Sequence, residues 1–232
     1  MMVMNKTNIE WTDRTWNPIT GCTKRCAYCY AHRLAKGRLR KLYLANSDVA
    51  PGCDPSDPFA PRFWRNRLDE PLNLKTPSRI FVCSMGEIFD PSVPWEWTDE
   101  VLATAGEAHW HTFQFLTKQP LTAQQFTFPG NAWAGVTIEN GGLIPQIRLR
   151  RFASVEAAVR FVSFEPLTGP ITVIPKWADW IIIGAMTGPK AIRPEKAWVQ
   201  NLIDIADDMG VPVFLKDNLN WPKIRREWPN GQ

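Results

Sequence analysis

Three cysteines stand within the run Gly21-Cys22-Thr23-Lys24-Arg25-Cys26-Ala27-Tyr28-Cys29-Tyr30, spaced C-x3-C-x2-C. Thiolate sulfur is a soft ligand that suits zinc or an iron–sulfur cluster. Close spacing lets one loop wrap one metal centre without closing a long stretch of chain. The count matters as much as the ligand type. Three local ligands leave a tetrahedral zinc, or a four-iron cluster, with one corner open for chemistry. The competing reading is a structural zinc knuckle with His32, three residues past Cys29, as fourth ligand. The chain has five cysteines. An odd, crowded set is unlike the disulfide framework of a secreted domain and leaves Cys53 and Cys83 unassigned.

The elements that must position this loop read as an alternation. Apolar, β-rich runs recur at Ile80–Cys83, Thr112–Leu116, Ala132–Val136, Val159–Val162, Trp180–Ile183 and Val211–Leu215, with a weaker one at Thr15–Thr20 leading into the cysteines. Continuous apolar runs suit strands buried on both faces of a parallel sheet. Helices are expected at Thr98–His111, at the basic Leu143–Phe152, and from Arg193-Pro194-Glu195 through Met209 to a stop at Gly210. A basic helix is expected over Arg33–Lys41. Strand–helix alternation predicts an α/β fold. Six or seven strands are too few for a closed eight-stranded barrel. The expected architecture is a partial (β/α)6-type TIM barrel, one domain over residues 1–232. Six prolines (Pro51, Pro55, Pro58, Pro61, Pro71 and Pro77) mark residues 46–78 as a proline-rich insertion after the first βα unit.

With the motif placed just after a first strand, C-x3-C-x-aromatic-C resembles the signature of the radical S-adenosylmethionine (SAM) superfamily. Asn8-Ile9-Glu10-Trp11-Thr12-Asp13, Trp16-Asn17-Pro18, Phe115-Leu116-Thr117-Lys118, Phe161 through Leu167, and Phe214-Leu215-Lys216 are similar to a phage- and prophage-associated family of uncharacterised proteins with a radical SAM core. That family tends to carry Gly-Gly-Glu-Ser-Gly-Pro where this chain has Gly184-Ala185-Met186-Thr187-Gly188-Pro189, so the acid of that loop is missing here. The resemblance implies that Cys22, Cys26 and Cys29 hold three irons of a [4Fe–4S] cluster whose fourth iron SAM chelates. It implies reductive cleavage of SAM, abstraction of a hydrogen atom from a substrate, and a reductant such as flavodoxin or ferredoxin. Tyr28 would lie against the adenine.

Working residues of α/β barrels sit at the C-terminal ends of strands. Those positions hold Ser84, Met85, Gly86 and Glu87; Thr117 and Lys118; Thr137, Glu139 and Asn140; Ser163 and Glu165; and Lys216, Asp217 and Asn218. By the resemblance, Ser84 and Glu87 meet the SAM amino group and Thr137, Glu139 and Ser163 the ribose. Lys118 and Lys216 either hold an anionic substrate or pair with Glu139 and Glu165, which makes Lys118, Glu139, Glu165 and Lys216 the catalytic candidates. Cys83 is either a small apolar filler or a hydrogen-atom donor.

Charge and composition set the remaining bounds. Net charge is +4 and the sequence pI about 8.9, which an ordinary solvated surface explains and with which a nucleobase or nucleotide substrate is compatible. The basic Arg33–Lys41 helix suits nucleic-acid phosphates or plain solvent. Met1 to Lys6 lacks the apolar core of a secretory signal and no apolar run is long enough to span a bilayer, so a cytoplasmic protein without membrane contact is expected. Two other readings stand beside the enzyme: a zinc-stabilised nucleic-acid-binding protein without catalysis, and a non-catalytic iron–sulfur protein.

Overall fold

The computed structural model describes Met4 and residues 6–188 and 191–229. They fall into two compact units that divide between Ala132 and Trp133. Most of the Met1–Lys6 start, and Pro189 of the loop after Ile183, lie outside the described residues.

In the first unit, β1 (Arg14–Trp16) is followed by β2 (Ile19–Thr20), α1 (Tyr30–Lys36), α2 (Arg40–Leu44), β3 (Arg62–Phe63), α3 (Glu70–Asn73), β4 (Arg79–Val82), α4 (Trp95–Glu107), β5 (Thr112–Thr117) and α5 (Pro120–Ala123). β1, β4 and β5 pair in parallel, Thr15 opposite Phe81 and Ile80 opposite Phe113. The strand expected over Thr15–Thr20 is two strands. Pro18 donates no ladder hydrogen bond, and beyond it β2 pairs antiparallel with β3, Ile19 opposite Phe63. The helix expected over Arg33–Lys41 is also two. It begins earlier, at Tyr30, because the Cys29 side chain caps it, and it ends at Lys36 where Gly37 leaves the helical region. α4 likewise starts ahead of Thr98, just past Pro94, a residue suited to helix entry. Thr98 is buried and donates to the Ile88 carbonyl at 3.0 Å.

The proline-rich stretch has a buried pin. Prolines remove backbone donors, and the carbonyls they strand need other partners. Arg62, fully buried, supplies them: its guanidinium bonds the carbonyls of Asn46, Pro55, Asp57 and Ala60 at 2.6–3.1 Å.

In the second unit, β6 (Ala132–Thr137), α6 (Leu143–Phe152), β7 (Val159–Phe164), β8 (Trp180–Ile183), α7 (Lys196–Met209) and β9 (Val213–Leu215) follow in turn. β6 to β9 pair in parallel in that order. Every residue of β6 and β8 is buried, as strands covered on both faces require. A Cβ on Gly135 would lie 2.4 Å from the Phe161 ring, so only glycine lets β6 and β7 meet there. α7 stops as expected at Gly210, which takes the left-handed φ of +68°. The parallel strands alternating with helices confirm the α/β class. Among the described residues no helix is long and apolar enough to cross a membrane.

The second unit's C-terminal stretch is held by Arg225, whose guanidinium bonds Asp207 and Glu227. Those bonds keep both carboxyls below their ordinary values. A depressed folded-state pKa contributes stability that is complete above the ordinary carboxylate range and is lost as pH falls through the folded values. Thermal denaturation across that range is therefore expected to show a stability loss below about pH 4 that Arg225→Gln makes shallower, with the variant already less stable at neutral pH.

Candidate functional site

The cysteine loop starts where backbone meets backbone. Gly21 has φ +89°, and a Cβ there would sit 2.4 Å from the Ala60 carbonyl oxygen. A Cβ on Gly86 would lie 2.8 Å from the nitrogen and oxygen of Gly21. Three bonds close this contact: Gly21 N to the Met85 carbonyl, Glu87 N to the Gly21 carbonyl and Cys22 N to the Phe59 carbonyl, each 3.0 Å. Asn17, at the end of the first strand, accepts from Met85 N at 2.8 Å and from the Ser84 hydroxyl at 3.2 Å. The loop after β4 is thereby stitched to the start of the cysteine loop.

Asp90 clamps the loop from below. Fully buried, it accepts from Thr23 N at 2.8 Å, the Thr23 hydroxyl, Ser92 N at 3.0 Å and the Ser92 hydroxyl at 2.8 Å. Burial works to raise its pKa, but the bonds from Ser92 and Thr23 outweigh it and hold the carboxylate below its ordinary value. Sequence reading placed Gly86 at a strand end and Asn17 and Gly21 within motifs without giving them these contacts, and it missed Asp90. Only Asp90-Pro91-Ser92 carried a signal, that of a side-chain-capped turn.

All five cysteines are free. Cys22 and Cys29 pack on the cluster formed by Ala31, Ala35, Tyr43, Phe59 and Trp64. Their sulfurs accept from backbone N–H groups: Lys24 N to Cys22 Sγ and His32 N to Cys29 Sγ, both 3.3 Å. Burial, reinforced by the Glu87 charge, pushes the Cys22 thiol up to about 12. A thiol so placed ionises when a metal cation replaces its proton. Among the described residues no three His, Cys, Asp or Glu side chains are gathered as a ready-made metal site. What the structure supplies is the donor set: three free thiols on one loop, two of them already met by N–H donors of the kind that stabilise metal-bound thiolate. That set fits a cluster ligated through Cys22, Cys26 and Cys29.

The other first-unit candidates lie around this loop. Lys118 Nζ stands 5.4 Å from the centre of the Tyr28 ring. Tyr30 OH donates to the Ser84 carbonyl. Glu87 is buried; Oε1 accepts from the Thr117 hydroxyl at 2.8 Å and from Phe89 N at 3.3 Å, and Oε2 from Lys118 N at 2.9 Å. Burial raises its pKa against the pull of those bonds. Cys83 follows β4 with a φ of +55° and is buried, its thiol pushed up by burial to about 12. Cys53 lies half-buried, its N bonded to the Ala50 carbonyl.

In the second unit Thr137 and Ser163 face each other in register at the ends of β6 and β7, both buried. The Ser163 hydroxyl has no hydrogen-bond partner among the described residues, an orphan of the kind that a ligand completes. Glu139 is paired with Arg148 at 2.8 Å in a buried bridge that also bonds the Thr137 carbonyl; sequence reading missed this arginine within the basic helix. Lys216 pairs with Glu165, one of the two pairings the sequence offered. Gly184 lies directly beneath that pair, and a Cβ there would lie 2.9 Å from Cδ of both residues, so they would have to shift. Asn218 bonds the nitrogen and the oxygen of Ala185, both at 2.9 Å, and Asp217 pairs with Arg226.

Replacing Asp90 with Ala strands Thr23 and Ser92 donors at a cost of about 1–3 kcal/mol. The expected result is a lower denaturation midpoint together with faster alkylation of Cys22, while exposed Asp99→Ala leaves both unchanged. Gly184→Ala is expected to split the Lys216–Glu165 pair, visible as a shifted Lys216 side-chain NMR resonance.

Residues 6–228 match the model of a family described as "Protein of unknown function (DUF5131)". No curated protein matches the sequence. A cysteine-to-serine variant of spore photoproduct lyase is similar in structure at 12% identity, covering 98% of this chain and 66% of that one, with a TM-score of 0.50. A lyase variant with bound AdoMet and dinucleoside spore photoproduct covers 89% of this chain at 12% identity and a TM-score of 0.48. The chain spans about half the length of that ligand-bound lyase, 53%. The likeness to the serine variant is one of fold.

Proposed function

The chain belongs to the DUF5131 family of proteins of unknown function, and we propose that it is a radical SAM enzyme acting on a nucleobase or nucleotide. One observation carries the reading: three free thiols on one short loop, two of them accepting backbone N–H bonds. The fold likeness to spore photoproduct lyase supports it. The dinucleoside held by a lyase variant and the basic charge of this chain are in keeping with a nucleic-acid-related substrate, as in phage-type DNA modification or repair.

In this reading Cys22, Cys26 and Cys29 would hold a [4Fe–4S] cluster that works with S-adenosylmethionine. When bound, the pair supplies reductive cleavage of the sulfonium and transfer of a hydrogen atom from the substrate to the adenosyl carbon. The chain's own residues bind and orient. Tyr28 offers a ring to the adenine, and Lys118 above it limits where that ring can lie. Ser84 meets the SAM amino group through the loop that Asn17 holds. Glu87 gives that loop its shape, since its oxygens already serve Thr117, Lys118 and Phe89. Thr137 and Ser163 are assigned to ribose hydroxyls, where the partnerless Ser163 hydroxyl has a bond to give. Glu139, through Arg148, positions the end of β6. Lys216, poised by Glu165, is the candidate for an anionic group of the substrate. A partial (β/α)6 barrel with residues 46–78 inserted is the architecture this reading takes.

Zinc held by the same thiols and His32 is the second reading. It is favoured by the His32 Nε2, buried without a hydrogen-bond partner among the described residues.

Anaerobic reconstitution with iron and sulfide decides. The expected outcome is a brown protein that yields 5′-deoxyadenosine from SAM with dithionite, and loss of both colour and product in Cys26→Ala. A colourless protein retaining one zinc per chain, whose zinc is lost in His32→Ala, establishes the second reading instead.

A further inference from the structure

Between Asp13 and Asp48 the chain has no acidic residue, and every charge is positive. Eight Lys and Arg lie there, so with a whole-chain charge of +4 the rest of the protein sums to −4. The basic character of this chain is thus a local feature, concentrated on the cysteine loop and the two short helices after it.

Those helices have two different sides. Ala31 and Ala35 of α1 and Tyr43 of α2 are buried with Phe59 and Trp64, the cluster on which Cys22 and Cys29 pack. The outward side carries Arg33, Lys36, Arg38, Arg40 and Lys41, joined by Lys24 from the cysteine loop, all exposed. None of these six makes an ion pair among the described residues, whereas Arg25 beside them is paired with Asp57. Six like charges without counter-ions repel one another, a standing cost that an acidic partner removes. Leu42, 49% exposed amid the cations, is a single apolar anchor.

We propose that this outer face of α1 and α2 docks a small acidic electron-carrier protein that delivers the electron consumed in SAM cleavage. The inference rests on the radical SAM reading above. Reductive cleavage of the sulfonium consumes one electron. The carrier's reduced flavin or iron–sulfur group loses it, and the centre held by the three thiols gains it. Distance selects an electron carrier over the substrate. A helix is about 10–12 Å across with its side chains, whereas atom transfer needs reacting atoms about 3–3.5 Å apart. Cys22 and Cys29 pack on the cluster that holds Ala31 and Ala35, while Arg33 and Lys36 stand on the exposed side of α1. A partner seated on those cations has the helix between it and two of the thiols, so its atoms are out of reach while an electron can cross. Charge steering with a single apolar anchor suits a fast, weak encounter of the electron-transfer kind.

The test uses the reconstituted full chain, reduced flavodoxin as the acidic carrier, and the variant Arg38→Glu/Arg40→Glu/Lys41→Glu. These side chains are exposed, and an unchanged circular-dichroism melt checks that the variant folds. Flavodoxin binding at low salt, followed by calorimetry, is expected to be lost in the variant. Cluster bleaching by flavodoxin hydroquinone is expected to slow about tenfold or more and to lose its salt dependence, while 5′-deoxyadenosine formed with dithionite stays at the parent level. Equal flavodoxin binding and reduction in both proteins overturns the proposal. So does a variant that keeps flavodoxin but loses a fluorescent DNA duplex, which assigns the face to phosphate backbone. A parent protein that makes no 5′-deoxyadenosine with dithionite fails at the earlier step, and sinks the radical SAM reading and this proposal together.

Discussion

A backbone contact too close for any side chain governs this protein. Gly21 lies against the carbonyl of Ala60 on one side and against Gly86 on the other, at distances where a Cβ has no room. The three thiols follow immediately, so their starting point is set by main chain, the least adaptable part of a protein. Asp90 then holds Thr23, and Cys29 caps the helix that carries the loop away. The loop is anchored at its entry and its exit.

Anchoring of this kind has an electrostatic side. Asp90 and Glu87 are both buried carboxyls near a loop of thiols, yet their environments push them apart. Asp90 gains enough donors to stay below its ordinary pKa, while burial raises Glu87 despite its three bonds. Glu87 also helps burial make Cys22 reluctant to ionise. Of the groups buried near the loop only Asp90 is held as a carboxylate, while the positive charges stand exposed on the outer side of α1 and α2.

The proline-rich stretch shows a related economy. Six prolines remove six backbone donors from residues 46–78, and a single buried arginine, Arg62, takes up four carbonyls in return. That arrangement also supplies Phe59 and Ala60, the carbonyls that receive Cys22 and face Gly21. In the second unit, Gly135 and Gly184 lie close to side chains, as Gly21 does to backbone. Each clears a Cβ so that a ring or an ion pair can close in.

The α/β class, the parallel strands and most helix positions were legible in the residues. Apolar runs such as Trp180–Ile183 have one physical explanation, burial on both faces, and Gly210 has one at a helix end. That Cys22, Cys26 and Cys29 share one loop was legible because they stand close together in the sequence. The Lys216–Glu165 pairing was offered only as one of two choices, and tertiary structure made it. What could not be read are contacts made at long sequence separation: Asp90 with Thr23, Gly86 with Gly21, Arg62 with its carbonyls. The broken helix at Gly37 and the broken strand at Pro18 belong to the same class, because a local breaker acts only when its surroundings give the chain another place to go. Spacing along the chain determined which groups are present; folding across dozens of residues decided which of them meet.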